Sequence, residues 1–253
     1  MLTKSINFKN FKNIKNNKEI EKDFHLLLKE KNSIIESLGV SYKYSYSKKL
    51  VTKLKKYSHL KIIGIGGSIL GTQAIYDFLK HKIKKKIYFI NNLQPTFPKI
   101  PQRKYINLIV SKSGNTLETI SNVNILVKKN QNSYFITEDK KNYLSLIAEK
   151  LKAEIIHHNN FIGGRYSVLS EVGMLPAELM GLNEKNFKQL NNLIKNKRFI
   201  KLLISNVGSF FNFTKKKKFN SVILNYDEGS NNLFKWYQQL IAESLGKKGK
   251  GTF

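Results

Sequence analysis

"LKIIGIGGSILGTQ", residues 60–73, runs from aliphatic, β-branched residues through glycines at 64, 66, 67 and 71 into a helical pattern. An apolar run closed by glycines and followed by a helical period reads as a buried strand turning directly into a helix. The same alternation recurs down the chain. Further strands are expected at "KIYFIN" (86–91), "YINLIVSKS" (105–113), "SYFITE" (133–138) and "EIIHH" (154–158). Helices are expected near 69–80, 116–129 and 141–152. Strands that are apolar along their whole length are covered on both faces, and helical connections make them parallel. The pattern therefore predicts an α/β fold with a doubly wound parallel sheet, whose ligands bind beyond the carboxyl ends of the strands.

The flanks differ from this core. Residues 1–50 read as an N-terminal helical segment, clearest in "EIEKDFHLLLKEKNSIIESLG" (19–39), where Ile20, Phe24, Leu27 and Leu28 recur at helical spacing. Residues 51–213 hold the sheet and trailing helices that include "EVGMLPAELMGL" and "NFKQLNNLIKNKRFIKLLISNVGSFF". At 214–253 a strand, "FNSVILNYD" from 219, and a helix over 230–245 begin a second α/β domain. One strand and one helix cannot bury their own apolar faces, so that domain is incomplete as written.

Composition narrows the classes of function. Hydrophobic residues at 41% fill a real core, and no apolar run approaches the roughly 20 residues that a membrane span needs. The N-terminus lacks the apolar stretch of a secretory signal, and Glu19, Glu21 and Asp23 disfavour an organelle-targeting peptide. There is no cysteine, which excludes disulfides and thiolate chemistry, and the five histidines show no ligand spacing. A cytoplasmic protein working without metal or cofactor is the expectation. The 45 basic residues against 17 acidic ones give +28, which by itself would suggest nucleic acid. Only Arg103, Arg165 and Arg198 are arginines, however, and lysine is spread along the whole chain. Bidentate base and phosphate contacts favour arginine, so a solvated basic surface that attracts small anions is the preferred reading.

Three stretches carry chemistry. In the first, Gly66, Gly67 and Ser68 follow a strand and precede a helix. Ile69 stands where a dinucleotide fingerprint needs its third glycine, and Thr72-Gln73 stands where a P-loop needs Lys-Ser/Thr. What remains is either a tight turn or a glycine loop letting a ligand reach the backbone. In the second, "IVSKSGNTLETI" sets Ser111, Lys112, Ser113, Asn115 and Thr116 before a helix. Thr116 with Glu118 nearby would cap that helix unaided, but so many hydroxyls at a helix N-terminus also suit a phosphate monoester. In the third, "FIGGRYSVLSEVG" places Arg165 directly after Gly163 and Gly164. A structural ion pair would explain one arginine. A planar guanidinium in a glycine loop also suits an oxyanion that develops during reaction.

Taken together these stretches resemble the phosphoglucose isomerase family. "GIGGSILG" is similar to its first glycine turn, "SKSGNTLET" to its phosphate loop and "GGRYSVLSEVG" to its arginine loop. "WYQQLIAESLGKKG" (236–249) is similar to its WxxQLxxESLGK helix. The likeness runs from about residue 55 to the end, with the motifs in family order. It implies a sugar-isomerase (SIS-type) three-layer αβα fold and interconversion of glucose 6-phosphate and fructose 6-phosphate through a cis-enediolate. On this resemblance Glu243 is the base and Arg165 stabilises the enediolate. Ser111, Lys112, Ser113 and Thr116 hold the phosphate, with Lys112 acting through its backbone N–H. Gly67, Ser68, Gly164 and Gln239 contact the sugar. Without the resemblance, the last helix reads only as amphipathic, with Leu233, Trp236, Tyr237 and Leu240 on its apolar side. The family continues through most of a second domain carrying a ring-opening histidine and a late lysine, so this chain reads as a truncated form whose full-length version is a homodimer. The rival readings are a non-catalytic sugar-phosphate sensor and a basic nucleic-acid-binding protein. A membrane partner is not expected.

Overall fold

A computed structural model describes residues 17–97, 104–217 and 220–246. In chain order its elements begin with α1 (Lys18–Lys29), α2 (Ser33–Ser37), α3 (Lys48–Lys55), β1 (His59–Ile63), α4 (Leu70–Leu79) and β2 (Lys86–Ile90). They continue with β3 (Tyr105–Val110), α5 (Leu117–Leu126), β4 (Ser133–Glu138), α6 (Tyr143–Leu151), β5 (Glu154–His158) and α7 (Glu171–Leu179). The last are α8 (Leu190–Lys195), α9 (Lys197–Lys215) and α10 (Asn231–Leu245). The described residues fall into two compact units: an α/β unit within residues 43–187 and 223–240, and a helical unit within residues 17–42, 188–222 and 241–246.

All five strands of the α/β unit are parallel, in the order β2-β1-β3-β4-β5. The chain leaves β1 for one edge of the sheet, then returns to β1's other side as β3. That reversal opens a crevice between the carboxyl ends of β1 and β3. Alternate residues point to opposite layers. Ile62, Leu108 and Ile136 pack with Leu50 and Leu54 of α3 and Val172 and Leu175 of α7. Their neighbours Ile63, Ile109 and Phe135 pack with Val123 of α5 and Leu144 and Ala148 of α6. Each such burial contributes roughly 1.5–3 kcal/mol, and the apolar strands find cover on both faces as their composition requires.

Lys61 is an exception in β1, only 1% exposed. Its Nζ donates to Leu126 O at 2.9 Å, the last carbonyl of α5, and lies 4.2 Å from the Phe97 ring centroid. A cation at a helix C-terminus is favourable, but burial pushes this amine down to about 8. On the other layer, Tyr46 Oη donates to Glu178 Oε1 at 2.8 Å. Lys48 Nζ joins Glu178 and Glu184 at 2.9 and 2.8 Å, which draws Glu184 below the usual carboxylate range.

In the helical unit α1 and α8 pack on α9, and Lys188 Nζ donates to Ser37 O while lying 4.9 Å from the Tyr42 ring centroid. The helix expected across 19–39 breaks after α1, because Asn32 turns its side chain onto Ile34 N at 2.8 Å and starts α2 afresh. Asn196 divides α8 from α9 in the same way, accepting from Phe199 N at 3.1 Å. The strand expected from 219 is also corrected. Phe219 lies outside the described residues, and 220–226 form no strand. Val222, Leu224 and Tyr226 stand 81%, 74% and 95% exposed. A strand exists only through a neighbour's N–H and C=O groups, and none among the described residues lies alongside to pair with it. No helix of the described residues is long and apolar enough to cross a membrane.

Candidate active site

The three loops singled out in the sequence leave the carboxyl ends of β1, β3 and β5. The first forms a 3-10 turn at Gly66–Ser68. A Cβ on Gly67 would lie 2.4 Å from Gly164 C and 2.6 Å from Arg165 N, so the glycine turn and the arginine loop touch backbone to backbone. Ser167 Oγ lies 2.6 Å from Gly164 O and 3.3 Å from Gly67 O, sharing its hydrogen between the two loops. Gln239 of α10 joins them, with Nε2 3.0 Å from where a Cβ on Gly66 would stand.

The arginine loop is tied down at every carbonyl from 162 to 165. Ile162 O accepts from His158 Nε2 at 3.0 Å, and Gly163 O accepts from Tyr166 N at 2.9 Å. Gly164 O accepts from Ser167 Oγ, and Arg165 O accepts from Trp236 Nε1 at 3.1 Å. The half-buried Arg165 guanidinium lies 4.6 Å from the Tyr166 ring centroid. A loop with satisfied carbonyls holds its side chain where it stands, which is what stabilising a transient charge demands.

The second loop is braced from beneath. Gly114 has φ +64°, and a Cβ there would meet Asn142 Oδ1 at 2.0 Å. Gly114 O accepts from Leu144 N at 3.0 Å, and Asn115 Oδ1 accepts from Tyr143 N at 3.1 Å. Lys112 O accepts from Glu138 N and Thr137 Oγ1 at 3.0 and 3.1 Å. Asn115 Oδ1 therefore braces the loop against the start of α6. The capping role considered for Thr116 is also corrected. Thr116 occupies the N-cap position of α5 but makes no side-chain cap bond. Its Oγ1 lies 3.0 Å from Ser111 Oγ instead. The caps of α1, α2, α3, α6, α7 and α9 accept a backbone N–H, whereas those of α4, α5 and α8 do not, and of these three only α5 carries a residue of a strong capping type. The first-turn amides of α5 are thus left without a side-chain acceptor, beside three hydroxyls and at the positive end of a helix dipole. Ser113 is exposed, while Lys112 and Thr116 are half-buried.

Of the expected site residues, Gly67, Ser68, Gly164, Arg165 and Gln239 come together. Ser111, Lys112, Ser113 and Thr116 lie at the end of β3, beside β1 across the crevice. Glu243 lies one turn beyond Gln239 on α10, exposed, and belongs to the helical unit. Tyr237, expected on the packed side of α10, is 42% exposed. Trp236, Ser167 and Asn142 were not anticipated as parts of the site, since nothing in their local sequence reveals where an indole N–H or an amide will point. A cavity of about 420 Å³ lies at the opposite, amino end of the sheet, lined by Lys53, Lys129, Lys152 and Glu154 among others, and holds none of these residues. Among the described residues no group of three or more His, Asp or Glu side chains could hold a metal ion.

Comparisons with known proteins bear on the family and the fold. The family model for phosphoglucose isomerase matches residues 45–251. A glucose-6-phosphate isomerase from Methanocaldococcus jannaschii is 33% identical, with 90% of this chain and 60% of the relative covered. One from Acholeplasma laidlawii is 31% identical, covering 80% of this chain and 54% of the relative. The chain thus spans a little over half the length of these relatives. Among solved structures, a hypothetical protein from Thermus thermophilus superposes with TM-score 0.71 at 21% identity, covering 93% of this chain and 62% of that one. A glucose-6-phosphate isomerase from Chlamydia trachomatis gives TM-score 0.65 at 23% identity, covering 81% and 44%, which speaks for a shared fold. With the sheet order, the crevice and its loops in place, and a family match over most of its length, the chain belongs to the phosphoglucose isomerase family.

Proposed function

We propose that this chain binds a hexose 6-phosphate in the β1/β3 crevice and serves the interconversion of glucose 6-phosphate and fructose 6-phosphate. The observation that carries the reading is the phosphate loop: the α5 N-terminus is uncapped by any side chain, with Ser111 and Thr116 paired over it. Such a site suits a dianionic monoester, bound by amides of the first turn, the backbone N–H of Lys112 and the hydroxyls of Ser111, Ser113 and Thr116. Moving a proton between C2 and C1 makes O1 and O2 anionic in turn, and Arg165 is the cation for them. Gly67, Ser68 and Gly164 leave room for the sugar against the backbone, and Gln239 supplies a side-chain hydrogen bond. Glu243, one turn from Gln239, is the carboxylate proposed to carry the proton. A general base typically contributes about 10² to 10⁴-fold. No cofactor is called for, because the reaction is redox-neutral. A cytoplasmic location and a homodimeric full-length form belong to the same proposal.

The test is conversion of glucose 6-phosphate to fructose 6-phosphate, measured alongside calorimetric binding of both. In a full-length form Glu243→Gln is expected to lower turnover by about 10² or more while leaving binding within about threefold. Binding without turnover even in a full-length form would favour a sugar-phosphate sensor, and absence of binding would remove the proposal altogether.

A further inference from the structure

Resting on the reading of Arg165 given above, a second buried device concerns how that arginine is kept in place. His158 ends β5 at 1% exposure, and Glu171 begins α7 at 2%. His158 Nε2 lies 3.0 Å from Ile162 O, and a carbonyl only accepts, so Nε2 carries hydrogen. Nδ1 lies 3.3 Å from Glu171 Oε2, with Ser170 Oγ at 3.5 Å. The other carboxylate oxygen, Oε1, accepts from Ser45 N at 3.2 Å. The pair thus links the end of the edge strand β5, the start of a helix and the residue immediately before Gly163-Gly164-Arg165. Buried ionisable pairs are commonly replaceable by apolar residues with no loss of stability, because desolvation offsets their attraction. Cohesion alone therefore gives little reason for a histidine and a glutamate here, whereas aiming a loop does.

We propose that His158 and Glu171 are positioning residues: the imidazole fixes Ile162 O, Glu171 fixes the imidazole, and Arg165 is thereby held for a developing oxyanion. His158 is one of three side chains bonded to the carbonyls of residues 162, 164 and 165, the others being Ser167 and Trp236. Of the three it is the one that is itself held by a buried carboxylate.

Two ligands that share a phosphate and differ at C1 separate this role from folding: 6-phosphogluconate, whose carboxylate mimics the enediolate charge, and sorbitol 6-phosphate, which is neutral there. The unaltered chain is expected to prefer the carboxylate by about tenfold, the size of one well-aimed charged hydrogen bond. His158→Leu should bring that ratio close to one while leaving sorbitol 6-phosphate affinity within about twofold. His158→Gln, whose amide nitrogen reaches the position of Nε2, should restore most of it. A folded His158→Leu chain that keeps the full ratio overturns the inference. If the apolar variant does not fold, isosteric Glu171→Gln takes its place, with at least a threefold loss of the ratio expected and an unchanged ratio counting against the proposal. An unaltered chain that binds neither ligand, or both alike, overturns the reading of Arg165 and the inference with it.

Discussion

Gly67 has no room for a methyl group. Its Cβ would fall 2.4 Å from Gly164 C, against backbone that cannot swing aside as a side chain end would. Gly67→Ala is therefore expected to separate the glycine turn from the arginine loop. Sugar-phosphate affinity should fall at least about tenfold and stability by about 1–3 kcal/mol, read by calorimetry and chemical denaturation. An alanine variant with intact affinity would mean that the two loops do not need their close contact. Lys61 bears on stability rather than binding. Burial holds its folded pKa near about 8, below its ordinary 10.5. Between these values the unfolded chain binds more protons, so stability rises with pH through that window. Below about 8 both states are charged and the full penalty stands, on the order of 3 kcal/mol; above about 10.5 it vanishes. Lys85, also pushed down to about 8 by burial, adds a slope of the same sign. Lys61→Met should remove the Lys61 share, so that the wild type gains about 3 kcal/mol more than the variant between pH 7.5 and 10.5 in urea titrations. Parallel curves would show that the ammonium is well accommodated by Leu126 O and the Phe97 ring.

At the scale of elements, the contrast between α5 and α6 is instructive. α6 begins with a full capping box, Asn142 to Ser145 N at 2.9 Å and Ser145 Oγ back to Asn142 N at 3.0 Å. α5 has an N-cap residue of a good capping type whose hydroxyl is turned aside to Ser111. A helix start left open in this way is less stable than it could be, by about 1 kcal/mol. Thr116→Asp should recover part of that, raising the melting temperature by about 2–4 °C through a carboxylate at the N-terminus. The same carboxylate would repel a phosphate, so affinity for inorganic phosphate should fall at least about tenfold. A variant that melts higher and still binds phosphate would move the anion site away from α5.

For the whole molecule the charge of +28 is the dominant feature. Spread as lysine over the surface, it draws small anions toward the chain and is screened over about 10 Å at 0.1 M salt. Association of a hexose phosphate should slow several-fold from about 20 to 200 mM NaCl in stopped-flow measurements, with dissociation nearly constant. A dissociation rate that carries the salt effect instead would place the charge inside the site rather than around it. Retention of DNA or RNA at physiological ionic strength would revive the nucleic-acid reading, which the scarcity of arginine in the sequence disfavours.

Much of this organisation is written in local sequence. Periodicity and glycine placement located β1 to β5 and the helices between them, because a doubly covered strand must be apolar at every position. The loops after β1, β3 and β5 were visible because glycines and hydroxyls cluster where these strands turn toward the next helix. The breaks at Asn32 and Asn196 were missed, since an asparagine inside a helical pattern caps or continues the helix according to where its amide turns. The strand expected from 219 does not form over 220–226, because pairing is a property of two segments and not of one. What tertiary structure alone decided is which groups meet: the order β2-β1-β3-β4-β5 that brings the first two loops to one crevice, the contact of Gly67 with Gly164, and the indole of Trp236 on Arg165 O. Those contacts join residues up to 100 positions apart, as Ser167 to Gly67, and no local propensity encodes the direction of a hydrogen bond across such a distance.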